Sequence, residues 1–209
     1  PLTRSSDSGQ IPAPLGTPIL RLIGQVAATY LIAEGPDGLY LIDQHAAHER
    51  ILFEKMMANR EEGPVSQALL DSVVVDFSPA SADLLQENLP ILTKLGFEVE
   101  EFGPGSFVVR AVPGLVGDSS PEAILRAAVE DLEVDETPLE GAIEEKIIAR
   151  VCKRAAVKAG QVLTPAEGEQ LLSDLEACQS PRTCPHGRPT MIHLSVDLLE
   201  RKFGRTGPM

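Results

Sequence analysis

The chain has 209 residues, enough for one domain with a sizeable core or for two small lobes. Hydrophobic residues make up 43% and charged residues 23%, the balance of an ordinary globular protein. No apolar run reaches the roughly 20 residues of a membrane span and no signal peptide opens the sequence, so a cytoplasmic protein is expected. It begins at Pro1 rather than at a Met, which reads as an excised piece of something longer. The formal net charge of −13 argues against unaided nucleic-acid binding, because phosphate contacts need a basic surface. A nucleic-acid role would have to rest on bound metal, on a few local Arg and Lys side chains, or on another domain.

Three cysteines, Cys152, Cys178 and Cys184, without a signal sequence suggest a reducing compartment, where thiolates are available as ligands. Cys178 belongs to no cluster and reads as a small buried hydrophobe.

In chain order, residues 1–17 are rich in Pro, Ser and Gly and read as the end of a linker. Leu20–Glu34 looks like a strand, Gly35-Pro36-Asp37-Gly38 a turn, and Leu39–Asp43 the returning strand. From Gln44 to about Asn59 the pattern becomes helical, with Ala47 and Ile51 one turn apart, and Gly63-Pro64 ends it. Next come strand Leu69–Phe77, helix Ala80–Leu95, strands Phe97–Phe102 and Ser106–Val112, and a helix from Pro121 to about Leu132. Pro138 opens a long helix to about Ala159 with Leu139, Ile143, Ile147 and Val151 as its stripe. Thr164 reads as an N-cap, with Pro165 in the first turn and Glu167 at the capping-box offset, for a helix to about Ala177. A strand at Met191–Leu194 and a helix to about Phe203 close the chain. The expected class is α/β (α+β), with residues 66–137 as a self-contained unit.

Two clusters carry chemistry. Asp43-Gln44-His45-Ala46-Ala47-His48-Glu49-Arg50 lies where a strand gives way to a helix. His45 and Glu49 are four apart, share a helical face and can ligate one ion, and Asp43 can reach the same point. Glu49 is expected on an exposed first turn. Taken alone, this cluster is better explained by a solvated, charged helix start. It has neither the HExxH nor the HxxEH order, which makes a metalloprotease a distant reading. Cys184-Pro185-His186-Gly187-Arg188-Pro189 is a turn stiffened by two prolines, whose Cys and His can face one ion. Arg188 offers the fork that holds a phosphate. Cys152, beside Lys153 and Arg154, is either a further thiolate or a core residue. Phe203-Gly204-Arg205 is either an anchor with a cation or a plain helix C-cap.

In order, DQHA-x2-E-x4-E at Asp43–Glu54, Val151-Cys152-Lys153, CPHGRP at Cys184–Pro189 and Phe203-x-Arg205 resemble the motif set of MutL homologues with an endonuclease in their C-terminal region. The resemblance covers nearly all the chain after the linker. It departs at the second motif, where the family has Ala-Cys-Arg. It implies a dimerisation lobe, here 18–64 and 138–209, into which a smaller external lobe, 66–137, is inserted. It implies a metal-dependent endonuclease that nicks one strand of duplex DNA in mismatch repair, with catalytic Asp43, His45, Glu49 and Arg188. The implied ligands are Asp43, His45, Glu49, Cys152, Cys184 and His186, with Mn²⁺ for catalysis and Zn²⁺ in a structural or regulatory role. Arg188 and Arg205 would orient phosphate. A homodimer, a nucleoid-associated place, and a mismatch-recognition protein reached through the full-length protein are also implied. A clamp-binding segment of the form Q-x-x-[LI]-x-P corresponds to Gln67-Ala68-Leu69-Leu70-Asp71-Ser72, with Gln67 and Leu70 kept and Ser72 in place of Pro. The alternative is a non-catalytic dimerisation module with a structural zinc, for which a closed ligand shell is the mark.

Overall fold

The aliphatic stretch after Leu20 is two strands, not one. In the computed structural model, which describes residues 20–205 apart from 118, 130–139 and 159, β1 (Arg21–Val26) and β2 (Tyr30–Gly35) form an antiparallel hairpin. Its turn contains no Gly, Pro, Asn or Asp, so nothing in the sequence marks it. Ala27 and Ala28 instead adopt φ of 52° and 48°, a left-handed conformation that L-residues with a Cβ rarely take. The linker at 1–17, the expected helix start at Pro138 and Leu139, and the expected helix end near Leu132 lie outside the described residues.

β3 (Gly38–Asp43) pairs with β2 through a tight turn at Gly35 and Gly38, as the Gly-Pro-Asp-Gly signal predicts. β7 (Met191–Ser195) adds to the other side of β3, giving the order β1-β2-β3-β7. Gly38 is obligatory: at φ 140° a Cβ would sit 2.3 Å from the Leu194 carbonyl oxygen. Strand alternation sends Leu31, Ala33 and Ile42 to the inner face. There they pack on Ala47 and Ile51 of α1 (Gln44–Glu62) and on Leu171, Leu172 and Leu175 of α5 (Pro165–Glu176). The α5 start follows the sequence reading, with Thr164 and Glu167 forming a reciprocal capping box.

A second antiparallel sheet, ordered β4-β6-β5, consists of β4 (Ser66–Asp76), β6 (Ser106–Pro113) and β5 (Glu98–Gly103). It is backed by α2 (Pro79–Lys94) and α3 (Pro121–Val129), and α3 in turn packs on α4 (Glu140–Ala155). Phe107, Val109, Leu85, Leu92, Ile124 and Leu125 share this core with Leu52 and Met56 of α1 and with Ile147 and Val151 of α4. Each such side chain contributes about 1.5–3 kcal/mol of burial free energy. α1 therefore joins both cores, Ala47 and Ile51 facing one and Leu52 and Met56 the other.

The mixed α/β class is as expected. Two helix ends are not. α1 continues to Glu62, and α4 stops at Ala155 instead of near Ala159. Beyond Ala155 the backbone bonds elsewhere: the Val157 amide donates to His48, and Gly160 turns at φ 92°. α6 (Val196–Lys202) is the last described element. Among the described residues, no helix is long and apolar enough to cross a membrane.

Candidate metal centre

The first turn of α1 is fixed by its N-cap: a carboxylate oxygen of Asp43 accepts the Ala46 amide at 3.1 Å, and the Asp43 amide donates to the Thr190 carbonyl at 2.9 Å. Helical spacing then stacks His45 and Glu49, with Nε2 and Oε1 3.2 Å apart. The other ring nitrogen of His45, Nδ1, lies 2.9 Å from the Val157 carbonyl. A carbonyl can only accept, so Nδ1 carries a proton there, and in the neutral ring Nε2 holds the lone pair.

The second motif arrives on a loop. The Cys184 amide donates to the Arg188 carbonyl at 2.8 Å, the Gly187 amide to the Cys184 carbonyl at 2.9 Å, and Gly187 turns at φ 78°. Thr183 and Pro189 form a β-bridge that closes the turn. His186 Nδ1 thereby comes to 3.3 Å from the second oxygen of Glu49. Ligand atoms of Glu49, Cys184 and His186 all lie within 4.8 Å of one another, although the two motifs are far apart in sequence. Around a tetrahedral ion with bonds of about 2.0–2.3 Å, donors stand roughly 3.3–3.8 Å apart, so small side-chain rotations suffice to enclose one. Thiol, imidazole and carboxylate together suit a borderline ion such as Zn²⁺ or Mn²⁺.

Electrostatics agree with that geometry. The hydrogen bond to the Glu49 carboxylate raises the His45 pKa, against burial and with help from the Val157 carbonyl. Burial pushes the Glu49 carboxyl up, but bonds from His45 and Cys184 and the proximity of His186 outweigh it and leave it below its ordinary value. Burial raises the Cys184 thiol and lowers His48, whose Nδ1 accepts the Val157 amide. His45 stands beside the group of Glu49, Cys184 and His186 and not within it: its Nε2 faces Oε1 of Glu49, whereas His186 faces Oε2.

Several expected site residues stand elsewhere. Glu49 is buried, with 3% exposure, and not on an exposed turn, because the 184–189 loop covers it. Cys152 is fully buried in the core shared with α1, its thiol donates to the Met56 sulfur at 3.5 Å, and burial raises its pKa. It is not brought into the cluster. Arg188 is exposed on the loop. Arg205 follows α6, which starts beside Gly38 at the opposite end of β3 from Asp43, and the structure does not bring it to the cluster. Gln67 pairs with Val112, and Leu70 is completely exposed where the β4–β6 register slips between Ala68 and Val73.

Two residues of the first motif shape the site in a way its spacing did not assign. Glu54 accepts the Gln179 and Ser180 amides at 2.6 and 3.0 Å, and Arg50 Nε donates to the Thr183 carbonyl at 2.5 Å. Together they clamp the ligand loop to α1. The i, i+4 Arg50–Glu54 pair, 3.5 Å apart, was visible as a spacing, but its target was not. Val157 acts through backbone atoms and leaves no sequence signal.

A family model describing the MutL C-terminal dimerisation domain matches residues 23–163. Relatives named DNA mismatch repair protein MutL include one from Methanoculleus marisnigri, 42% identical over 189 residues, covering 90% of this chain and 32% of the relative. Another, from Symbiobacterium thermophilum, is 41% identical over 191 residues, covering 89% and 30% respectively. One from Syntrophobacter fumaroxidans is 41% identical over 200 residues, covering 95% and 29%. The chain thus spans about a third of the length of these relatives.

Proposed function

The chain belongs to the MutL C-terminal dimerisation family, and from that premise we propose that it is a homodimeric, metal-dependent endonuclease that nicks one strand of duplex DNA during mismatch repair. The observation that carries this reading is the convergence of Glu49, Cys184 and His186, whose ligand atoms lie within 4.8 Å of one another; His45 adjoins them through Glu49. When bound, a divalent ion supplies Lewis acidity toward a phosphate oxygen and activates water as the nucleophile. Glu49 and the Cys184 thiolate balance its charge. Val157 orients His45, and Arg188, exposed on the same loop, would hold the phosphate. Mn²⁺ is the proposed catalytic ion, and the thiolate–imidazole pair accommodates a regulatory or structural Zn²⁺.

The non-catalytic zinc reading needs a closed shell. The side chains of His45 and His186 keep 28% and 30% exposure, which favours a site that a substrate can reach.

Dimerisation is proposed through the outer face of the first sheet, as part of a lobe of residues 18–64 and 138–209, with 66–137 external. Opposite the buried Leu31, Ala33 and Ile42, this face carries Tyr30, Ile32, Leu41, Leu39 and Leu194, with Ile192 55% exposed. Apolar surface of that extent is characteristic of an interaction face. The fully exposed Leu70 supports docking of a sliding clamp at Gln67–Leu70. Contact with a mismatch-recognition protein and a nucleoid location would belong to the intact protein.

The test is a supercoiled-plasmid nicking assay on the intact protein with Mn²⁺, with and without chelator. Nicking that ignores the chelator, or that survives Glu49→Gln unchanged, overturns the reading.

A further inference from the structure

Gln44 is a neutral amide with no exposed surface, a costly residue to bury unless its polar atoms are bonded. They are. Nε2 reaches the carbonyls of Ala28, Lys158 and Gln161 at 3.0, 3.2 and 3.1 Å. Oε1 accepts from Gln25 Nε2 at 2.5 Å. Gln25 in turn donates to the Gln161 carbonyl at 3.0 Å and accepts the Leu163 amide at 3.1 Å. The Gly160 amide donates to the Ala28 carbonyl at 2.9 Å.

These bonds stitch the irregular segment after α4 onto the β1–β2 turn. That segment has left the helix and has no strand partner; the Gln161 carbonyl takes its bonds from the two side-chain amides, and the Lys158 carbonyl shares Gln44 with the Gln161 backbone amide. Val157, next to the gripped Lys158, presents its carbonyl to His45 Nδ1 and its amide to His48 Nδ1, each at 2.9 Å. The strained turn fits this picture: Ala27 and Ala28 hold positive φ, and the Ala28 carbonyl lies among the bonds that Gln44 collects.

We infer that Gln44 is a positioning residue for the metal centre, holding the Val157 segment so that Val157 fixes the ring of His45. The inference rests on the reading of His45 and Glu49 as ligands. Gln44 and His45 are neighbours on α1 and point to different sides, so the amide acts on the ligand through the segment and not by contact. Groups that orient a ligating His change affinity by roughly 10- to 100-fold when lost.

The experiment uses the intact protein and titrates Mn²⁺ and Zn²⁺ by calorimetry into the parent, Gln44→Met, Gln25→Met and His45→Ala. Melting temperature and solvent exchange of the His45 ring proton are followed in the metal-free proteins. Gln44→Met keeps the length and removes every bond. The expected result is roughly 10- to 100-fold weaker binding in folded Gln44→Met, a smaller loss in Gln25→Met, and faster exchange of the ring proton in both. A lower melting temperature with unchanged affinity and unchanged exchange makes Gln44 a purely structural residue and overturns the inference. If Gln44→Met does not fold, Gln25→Met decides by the same two readouts, since Gln25 is only half-buried. Equal affinity in the parent and His45→Ala would overturn the ligand reading itself, a different failure from parental binding with no loss in either Gln variant.

Discussion

The centre has two halves held by different means. His45 and Glu49 sit on a helix, where the 3.6-residue repeat alone brings them together once Asp43 has capped the first turn. Cys184 and His186 sit on a loop with one bridge of its own, and they reach the site because Glu54 and Arg50 tie that loop down. The helical half would survive in isolation as a pattern, whereas the loop half exists only in contact with α1. A candidate ligand set divided this way gains reach from the loop and precision from the helix, and it is most fragile where the two meet. That point is Glu49, which bonds one histidine from each half.

Breaking the junction should have the largest effect. Glu49→Gln keeps the shape and removes the charge, and it should reduce Mn²⁺-dependent nicking by more than about 100-fold, beyond what loss of an outer partner does. Melting should drop by no more than about 1–3 kcal/mol equivalent, the cost of weakened hydrogen bonds. Glu49→Lys is the poorer test. It leaves an unmatched cation at a site with 3% exposure, at about 3–5 kcal/mol, so lost activity could reflect lost folding. Parent-like nicking by Glu49→Gln would dissolve the comparison altogether.

The two thiols sharpen it next. Cys184→Ala should weaken Zn²⁺ binding at least tenfold with little change in melting, and Cys152→Ala should do the reverse, costing about 1 kcal/mol of stability and sparing affinity. Affinity lost with Cys152 instead would place the α4 thiol in the centre. Glu54→Ala releases two backbone amides from a carboxylate and should cost about 1–2 kcal/mol, while lowering affinity through the loop ligands alone. Equal changes at His45 and His186, followed by NMR, would contradict that asymmetry.

The smallest effect is the pH dependence of the metal-free protein. His45 is raised above its ordinary 6.5, so its contribution is full below 6.5 and is lost as pH climbs through the raised value. Glu49 is lowered below its ordinary 4.5, so its contribution is present above 4.5 and is lost as pH falls through the lowered value. Between them the metal-free protein should melt highest, by about 2–4 °C. Metal affinity should move oppositely on the alkaline side, rising as His45 loses its proton. Melting and affinity curves that rise together above pH 6.5 would contradict a ligand role for His45.

Much of this molecule was legible from local rules. The Gly35–Gly38 turn, the Thr164–Glu167 capping box, the α1 face shared by His45 and Glu49, and the Gly187 turn all follow from backbone freedom, capping and periodicity over a few residues. What was missed shares a cause. The β1–β2 turn at Ala27 and Ala28 is held by long-range bonds to Gly160 and Gln44, and no turn residue announces it. The early end of α4 is set by His48 capturing the Val157 amide.

Burial was the other blind spot. Glu49 stands between His48 and Arg50, yet it is covered by a loop more than 130 positions away; for Cys152 the sequence left thiolate ligand and core residue open, and packing against Met56 across the helix pair decides for the core. Sequence determined which residues could ligate an ion and which elements would carry them, because those are properties of side-chain chemistry and of spacing within one turn or strand. Tertiary structure alone decided which of them meet, because convergence depends on long-range packing and on backbone groups, such as those of Val157 and Thr183, that every residue possesses and no sequence pattern marks.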